Sequence, residues 1–251
     1  MKLLIDIGNT RLKWTTATAE ARLAEPAATT GPAWPDGLHD AFAALRGQVE
    51  DVLVSSVVSA EREAELQALL QAAVPDTPVA FVRSPAAALG VRNAYAEPER
   101  LGIDRFLALA ALQARPRAQV LVSVGTALTL DALAADGRHL GGLIAASPTL
   151  ARGALAAATA RLQPPSRQVR MLADTTADAV QSGAVLGAVA LTERFRSAAA
   201  GPLGGWPALI LTGGGAGELA PWLPDAERIE DLVLRGLARW AFAPSPPPAG
   251  A

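Results

Sequence analysis

Eight consecutive residues near the start of the chain, Asp6-Ile7-Gly8-Asn9-Thr10-Arg11-Leu12-Lys13, gather side chains that can handle a phosphate. Glycine at 8 allows a close approach of the backbone to an anion, or a positive φ. Successive N–H groups in such a turn can form a nest for phosphate oxygens. Asn9 and Thr10 add donors. Lys13 adds a cation two residues beyond Arg11, on the same face of an extended strand. Asp6 can hold Mg²⁺ through water. The spacing of a Walker A loop is missing, and the same residues also suit a plain hairpin with a solvated lysine. A second segment, Gly125-Thr126-Ala127-Leu128-Thr129-Leu130-Asp131, repeats the theme with two hydroxyls and a carboxylate beside a glycine turn. Asp131 is a tentative metal ligand there. Two such hairpins can build an ATP-splitting site without a P-loop. Gly213-Gly214-Gly215 offers a third backbone approach, toward a nucleoside, or an ordinary strand-to-helix turn.

Gly102-Ile103-Asp104-Arg105 falls where a loop enters a helix. A carboxylate near a helix start gains about 0.3–1 kcal/mol for its ionised form. Such an Asp can orient a hydroxyl and accept its proton during phosphoryl transfer. Arg105 is a bidentate clamp for a substrate carboxylate. A helix cap and a surface Arg explain the same residues, and Tyr95 on the preceding loop can close over a ligand or merely pack. His39 and His139 have no ligand-spaced neighbours and read as structural or exposed. The five Trp read as packing or interface residues.

Strands and turns must position these groups. Residues 2–7 and 11–17 read as a hairpin with its turn at 8–10, and 50–57 as an interior strand. Ser59 caps a helix over about 60–72. A short strand at 79–82, an extended loop over 84–101 and a helix over about 104–114 follow. The layout then restarts, with strands at 119–124 and 127–133 around the Gly125 turn, and a glycine turn at 141–144. Helices are expected over 148–160 and 176–198, a strand over 208–212, and a last helix over about 229–243. Residues 1–116 and 117–243 thus form two α/β domains that each open with strand, glycine turn and strand, and 244–251 reads as a disordered tail. Duplicated halves of this kind can place their turns across a cleft.

Composition narrows the function. The chain has 251 residues, enough to bury a large core. It contains no Cys, so thiolate metal sites, thiol nucleophiles and disulfides are excluded. Two His leave little for a zinc site. A formal net charge of -2 without basic runs argues against nucleic acid. No apolar stretch reaches membrane-spanning length. Asp6 interrupts what would be the apolar core of a secretion signal. The expectation is a cytoplasmic protein acting on small molecules, with neither nucleic acid nor membrane as partner.

The set DIGNTRLKW (from Asp6), GIDR (from Gly102), GTALTLD (from Gly125), GGLI (from Gly141) and Gln181-Ser182-Gly183, in this order and spacing, resembles type III pantothenate kinases. The likeness runs from residue 1 to about 240. It implies two ribonuclease-H-like domains of the acetate and sugar kinase, Hsp70 and actin superfamily, with a nucleotide cleft between them. It implies transfer of the γ-phosphoryl of ATP to pantothenate, the first step of coenzyme A synthesis, in a homodimer using Mg²⁺ or another divalent ion. By the same likeness, Asp6 to Lys13 and Thr126 contact ATP, and Asp104 is the general base. Tyr95, Gly102, Ile103, Asp104, Arg105 and Thr176 contact pantothenate, and the helix over 176–198 is the candidate dimer interface. Many members bind K⁺ or NH₄⁺ through an Asp at the position of Ser123, where a hydroxyl supplies no charge. The usual x-Pro-Gly after GGxI is replaced by Ala146-Ser147, with Pro148 late, and the usual Asn before the substrate threonine is Thr175. An accessory or regulatory protein on the same scaffold, or another small-molecule kinase of the superfamily, are the alternatives.

Overall fold

The structure, a computed structural model, describes residues 1–20, 22–31, 34, 36–159 and 168–243. The expected tail at 244–251 lies outside these residues. The chain divides into two compact units, one made of residues 1–114 with the chain from 232 onward, the other of 115–231.

In the first unit, strands β1 (Lys2–Ile7) and β2 (Arg11–Ala17) form the expected hairpin. They join β3 (Ala27–Thr30), β4 (Asp51–Ser56) and β5 (Val79–Val82) in a sheet of order β3-β2-β1-β4-β5. β1 runs antiparallel to β2 and parallel to β4. Alternation sorts the side chains of each strand onto two faces. Leu3, Ile5, Ile7, Val52 and Val54 meet α1 (Leu38–Ala43) and α2 (Ala60–Ala73) through Phe42, Leu66 and Leu70. Ser59 caps α2, its side chain accepting the Arg62 N–H. The opposite face carries Leu4, Asp6, Leu53 and Ser55, and α3 (Ile103–Leu112) and α7 (Leu232–Ala241) pack on it. The loop expected over 84–101 contains a two-stranded ribbon, β6 (Ala87–Ala88) with β7 (Val91–Arg92), and a 3₁₀ turn at Pro98–Arg100.

The second unit repeats the plan. β8 (Gln119–Val124), β9 (Ala127–Leu133), β10 (His139–Ala146), β11 (Ala208–Thr212) and β12 (Glu227–Arg228) form a sheet of order β10-β9-β8-β11-β12. Counted from its own first strand, that order and its pattern of parallel and antiparallel pairs match the first sheet. Helices α4 (Pro148–Ala158), α5 (Thr176–Ala200) and the short α6 (Ala216–Leu219) complete it. The two matching sheets are the duplicated ribonuclease-H-like layout expected from the sequence.

Two expectations are corrected. Gly141 and Gly142 lie inside β10 rather than in a turn, where the pairing register shifts between His139 and Gly142. Gly141 absorbs that irregularity with a φ of 110°. The last helix, expected in the second half, belongs with the first unit and packs along α3. A Cβ on Gly236 of α7 would collide with the Leu107 carbonyl of α3, so glycine there is what lets the two helix backbones approach.

Candidate active site

Asp6, the last residue but one of β1, lies on the sheet face on which α3 packs and is half-buried. Ser55, its neighbour in register on β4, donates its hydroxyl to Asp6 Oδ1 at 3.0 Å. Lys13 stands opposite Asp6 on β2. The turn between them closes through Gly8 N–H to the Arg11 carbonyl at 2.9 Å. Asn9, Thr10 and Arg11 are exposed, whereas Ile7 and Leu12 are buried and anchor the turn. Gly8 does not adopt a positive φ, contrary to one reading of the sequence, and a Cβ there would meet only the Arg11 carbonyl, at 3.7 Å. The protein itself does not require glycine at 8. A cradle that a Cβ would fill is what a backbone approach to phosphate needs.

α3 begins at Gly102 without a side-chain cap. Its first turn holds Asp104, whose Oδ1 accepts the Arg105 N–H at 2.8 Å. A Cβ on Gly102 would lie 2.5 Å from that same Oδ1 and 3.8 Å from Val57 Cγ1, just past the end of β4. Gly102 therefore makes room for the carboxylate, and the α3 start borders the carboxyl end of β4. Ile103 is buried beneath. Arg105 is buried to 6% exposure, and its Nη1 donates to the Tyr95 hydroxyl at 3.1 Å. Tyr95 is placed in turn by Asn93, whose Oδ1 accepts the Tyr95 N–H while its Nδ2 donates to the Pro85 and Pro98 carbonyls. The first unit thus holds Asp6 opposite Lys13 at one end of its central hairpin, and Asp104, Arg105 and Tyr95 around the start of α3, the helix that packs on the Asp6 face.

In the second unit the Gly125 turn closes from Gly125 N–H to the Ala127 carbonyl at 2.9 Å, leaving Thr126 exposed. Gly125 repeats the property of Gly8, for a Cβ there would meet only the Ala127 carbonyl, at 3.8 Å. Gly213 and Gly215 behave differently. Both press on Val124, and Gly215 N–H donates to its carbonyl at 2.9 Å. Packing against the second turn accounts for these two glycines. Ser147, buried at the cap of α4, donates to the Thr126 carbonyl at 2.8 Å. Thr176 opens α5 and lines a cavity of about 520 Å³ with Leu155, Asp174, Thr175 and Gly183.

Asp131 must be corrected as a metal ligand. It is 1% exposed, and the equally buried His139 places Nε2 2.9 Å from its Oδ1. The pair is part of the β9–β10 core, so His139 is structural, as expected, and His39 is exposed. Among the described residues no group of three His, Asp or Glu could hold a metal ion. Ser123 is paired in register with Thr129 on β9 and Thr212 on β11, so its strand partners at that level are neutral hydroxyls. Ser55, Asn93 and Ser147 were missed from the sequence. A signal for Ser55 existed, since a hydroxyl pair inside the apolar strand around Val54 asks for partners.

A family model described as type III pantothenate kinase matches residues 2–198. A type III pantothenate kinase from Xanthomonas campestris pv. campestris (strain 8004) is 46% identical over 244 residues, 95% of this chain and 96% of its own. One from Stenotrophomonas maltophilia (strain K279a) is 41% identical over 243 residues, again 95% and 96%. Among solved structures, a protein from Campylobacter jejuni described as a Baf family transcriptional activator aligns with a TM-score of 0.63 at 20% identity, covering 94% of this chain and 96% of that one. A Sinorhizobium meliloti protein described as a 2-dehydro-3-deoxygalactonokinase aligns at 0.59 with 14% identity, covering 97% and 100%. At those identities the structures speak for the fold alone.

Proposed function

This chain belongs to the type III pantothenate kinase family, and from that premise we propose that it moves the γ-phosphoryl of ATP onto the primary hydroxyl of pantothenate, the first step of coenzyme A synthesis. The observation that carries the reading is the Asp104 carboxylate, held in the first turn of α3 by the Arg105 N–H and given room by Gly102. Its helix packs on the sheet face that carries Asp6, and Lys13 stands opposite Asp6 in register.

The residues divide the work. Arg105, oriented by Tyr95, pairs with the pantothenate carboxylate and so directs the far hydroxyl of the substrate. Asp104 accepts the proton of that hydroxyl as its oxygen bonds to the γ-phosphorus and the bond to the ADP oxygen breaks. Lys13 and the open backbone of the Gly8 turn neutralise charge on the phosphates, and Thr126 keeps the ATP contact that the family resemblance implies for it. A divalent ion fits this set, because Mg²⁺ needs only one or two carboxylates besides the phosphates. Asp6 would hold it, and it would supply charge neutralisation at the β- and γ-oxygens. Ser123 brings no charge to the position where the family resemblance implies a monovalent-cation Asp, and no step depends on such an ion.

Thr176 completes the pantothenate pocket in a homodimer. The support is the run of exposed apolar side chains: α4 buries only Pro148 and exposes Leu150 and Leu155, and Met171 and Leu172, ahead of α5, are exposed as well. An apolar patch of this kind marks an association surface. No helix of the described residues is long and apolar enough to cross a membrane. The test is ADP release from Mg-ATP with and without pantothenate, across a K⁺ titration. Pantothenate-dependent release that ignores K⁺ is expected. Absence of release from a folded dimer under every cation would overturn the proposal.

A further inference from the structure

We propose that Ser147 is a positioning residue for the nucleotide, acting through the Thr126 turn. This rests on the reading that Thr126 contacts ATP. Ser147 stands where the chain departs from the Pro-Gly that the family resemblance leads one to expect after GGLI.

One buried hydroxyl does two jobs. Ser147 is 1% exposed. Its Oγ accepts the Leu150 N–H at 3.2 Å, which caps α4, and donates to the Thr126 carbonyl at 2.8 Å. A hydroxyl has one proton and two lone pairs, so both bonds form at once. The peptide group is planar, so pinning the Thr126 carbonyl also sets the plane of the 126–127 peptide and the Cα that carries the Thr126 side chain. The other end of the turn is held by Gly215 N–H on the Val124 carbonyl at 2.9 Å. Between these two anchors lie the exposed Gly125 and Thr126. Ser147 therefore orders in advance a turn that would otherwise be ordered at the expense of nucleotide affinity.

The two jobs can be separated by substitution. Ser147→Gly removes the donor, while glycine keeps most of the preference of an N-cap. Ser147→Ala removes donor and cap together. Ser147→Thr keeps both. The KM for ATP should rise roughly three- to tenfold in the Gly and Ala variants, the worth of one net hydrogen bond. The KM for pantothenate should stay within about twofold, because the bond acts on the turn alone. Tm should fall in both the Gly and Ala variants, further in Ala, which loses the cap as well as the bond, and Thr should restore the ATP KM. Hydrogen exchange of the peptide spanning residues 120–131, measured without nucleotide, reads the tie independently of catalysis. It should quicken in the Gly and Ala variants.

Unchanged exchange in Ser147→Gly overturns the proposal whatever the enzyme does. Faster exchange with an unchanged ATP KM overturns the positioning role. A wild-type chain that neither binds nor splits ATP sinks the functional reading and with it this role, while leaving the exchange result to report on the tie.

Discussion

Replacing Gly102 with alanine should separate catalysis from stability. The backbone at Gly102, with φ −51° and ψ 130°, is open to alanine, so no strain arises. The added methyl carbon would lie 2.5 Å from Asp104 Oδ1, and its next neighbours, Asp104 Cγ and Val57 Cγ1, are at an ordinary 3.7 and 3.8 Å. To restore normal contact the carboxylate must retreat by roughly 0.9 Å, the gap to the onset of van der Waals contact near 3.4 Å. It is the end of a side chain and can do so cheaply. The removed glycine entropy even favours the variant, by about 0.4–1 kcal/mol. A general base misplaced by about 1 Å costs on the order of 10²-fold in rate. The expected result is therefore kcat down about 10²-fold, with a Tm no lower than wild type. ADP release at saturating ATP and pantothenate gives the first quantity and differential scanning fluorimetry the second. The double variant with Asp104→Asn should be no slower than Asp104→Asn alone, because both act on one carboxylate. A kcat within about threefold of wild type would refute the claim that Gly102 sets the position of the base; rates that multiply in the double variant would show the two residues acting separately.

Asp104→Asn should itself cut turnover by about 10²-fold or more while leaving ATP binding intact in a nucleotide titration. Arg105→Lys should raise the pantothenate KM, since a single point charge replaces a guanidinium whose Nη1 also engages Tyr95, and an unchanged KM would remove Arg105 from the pocket. Asp131→Ala should destabilise the fold by about 3 kcal/mol, because it strands the buried His139, and should leave the divalent-ion requirement untouched; a shifted metal titration midpoint would reinstate Asp131 as a ligand. Gly236→Ala should lower Tm sharply through backbone collision with Leu107, a cost of about 1–3 kcal/mol or more, measurable by urea unfolding.

Much of this architecture was legible because its signals are local. The strands at 2–7, 11–17, 79–82, 119–124, 127–133 and 208–212 have the bounds read from alternation and from the glycines that punctuate them. Ser59 announced its helix by capping chemistry. Asp6, Lys13, Asp104 and Arg105 stood out because charged groups beside glycine turns and helix starts are few in a chain this apolar. What escaped depends on tertiary structure. Asp131 looked available beside the Gly125 turn, and only the pairing of β9 with β10 shows its carboxylate facing His139 in the core. Gly141-Gly142 has the composition of a turn, yet serves an irregularity within a strand. Glycine at 213 and 215 suits a ligand or a neighbouring backbone equally in sequence, and Val124 decides it. Ser147 differs from an ordinary cap only by its bond to a residue 21 positions away.

The return of α7 to the first unit has a consequence for how the chain is made. The second unit, 115–231, is in effect an insertion within the first. As the ribosome delivers the polypeptide from its amino end, the inserted unit has all of its residues before the surrounding one does. Domains tend to fold as units during synthesis. Here the helix that carries Asp104 must wait for Leu232–Ala241 to emerge before Gly236 can close against Leu107. Until then one face of the first sheet, with Leu4 and Leu53 on it, lacks part of its cover. On the proposed reading, catalytic competence is thus tied to the last helix described, so that a nascent or prematurely terminated chain would carry every polar residue of the proposed site without the packing that holds the helix of Asp104 in place.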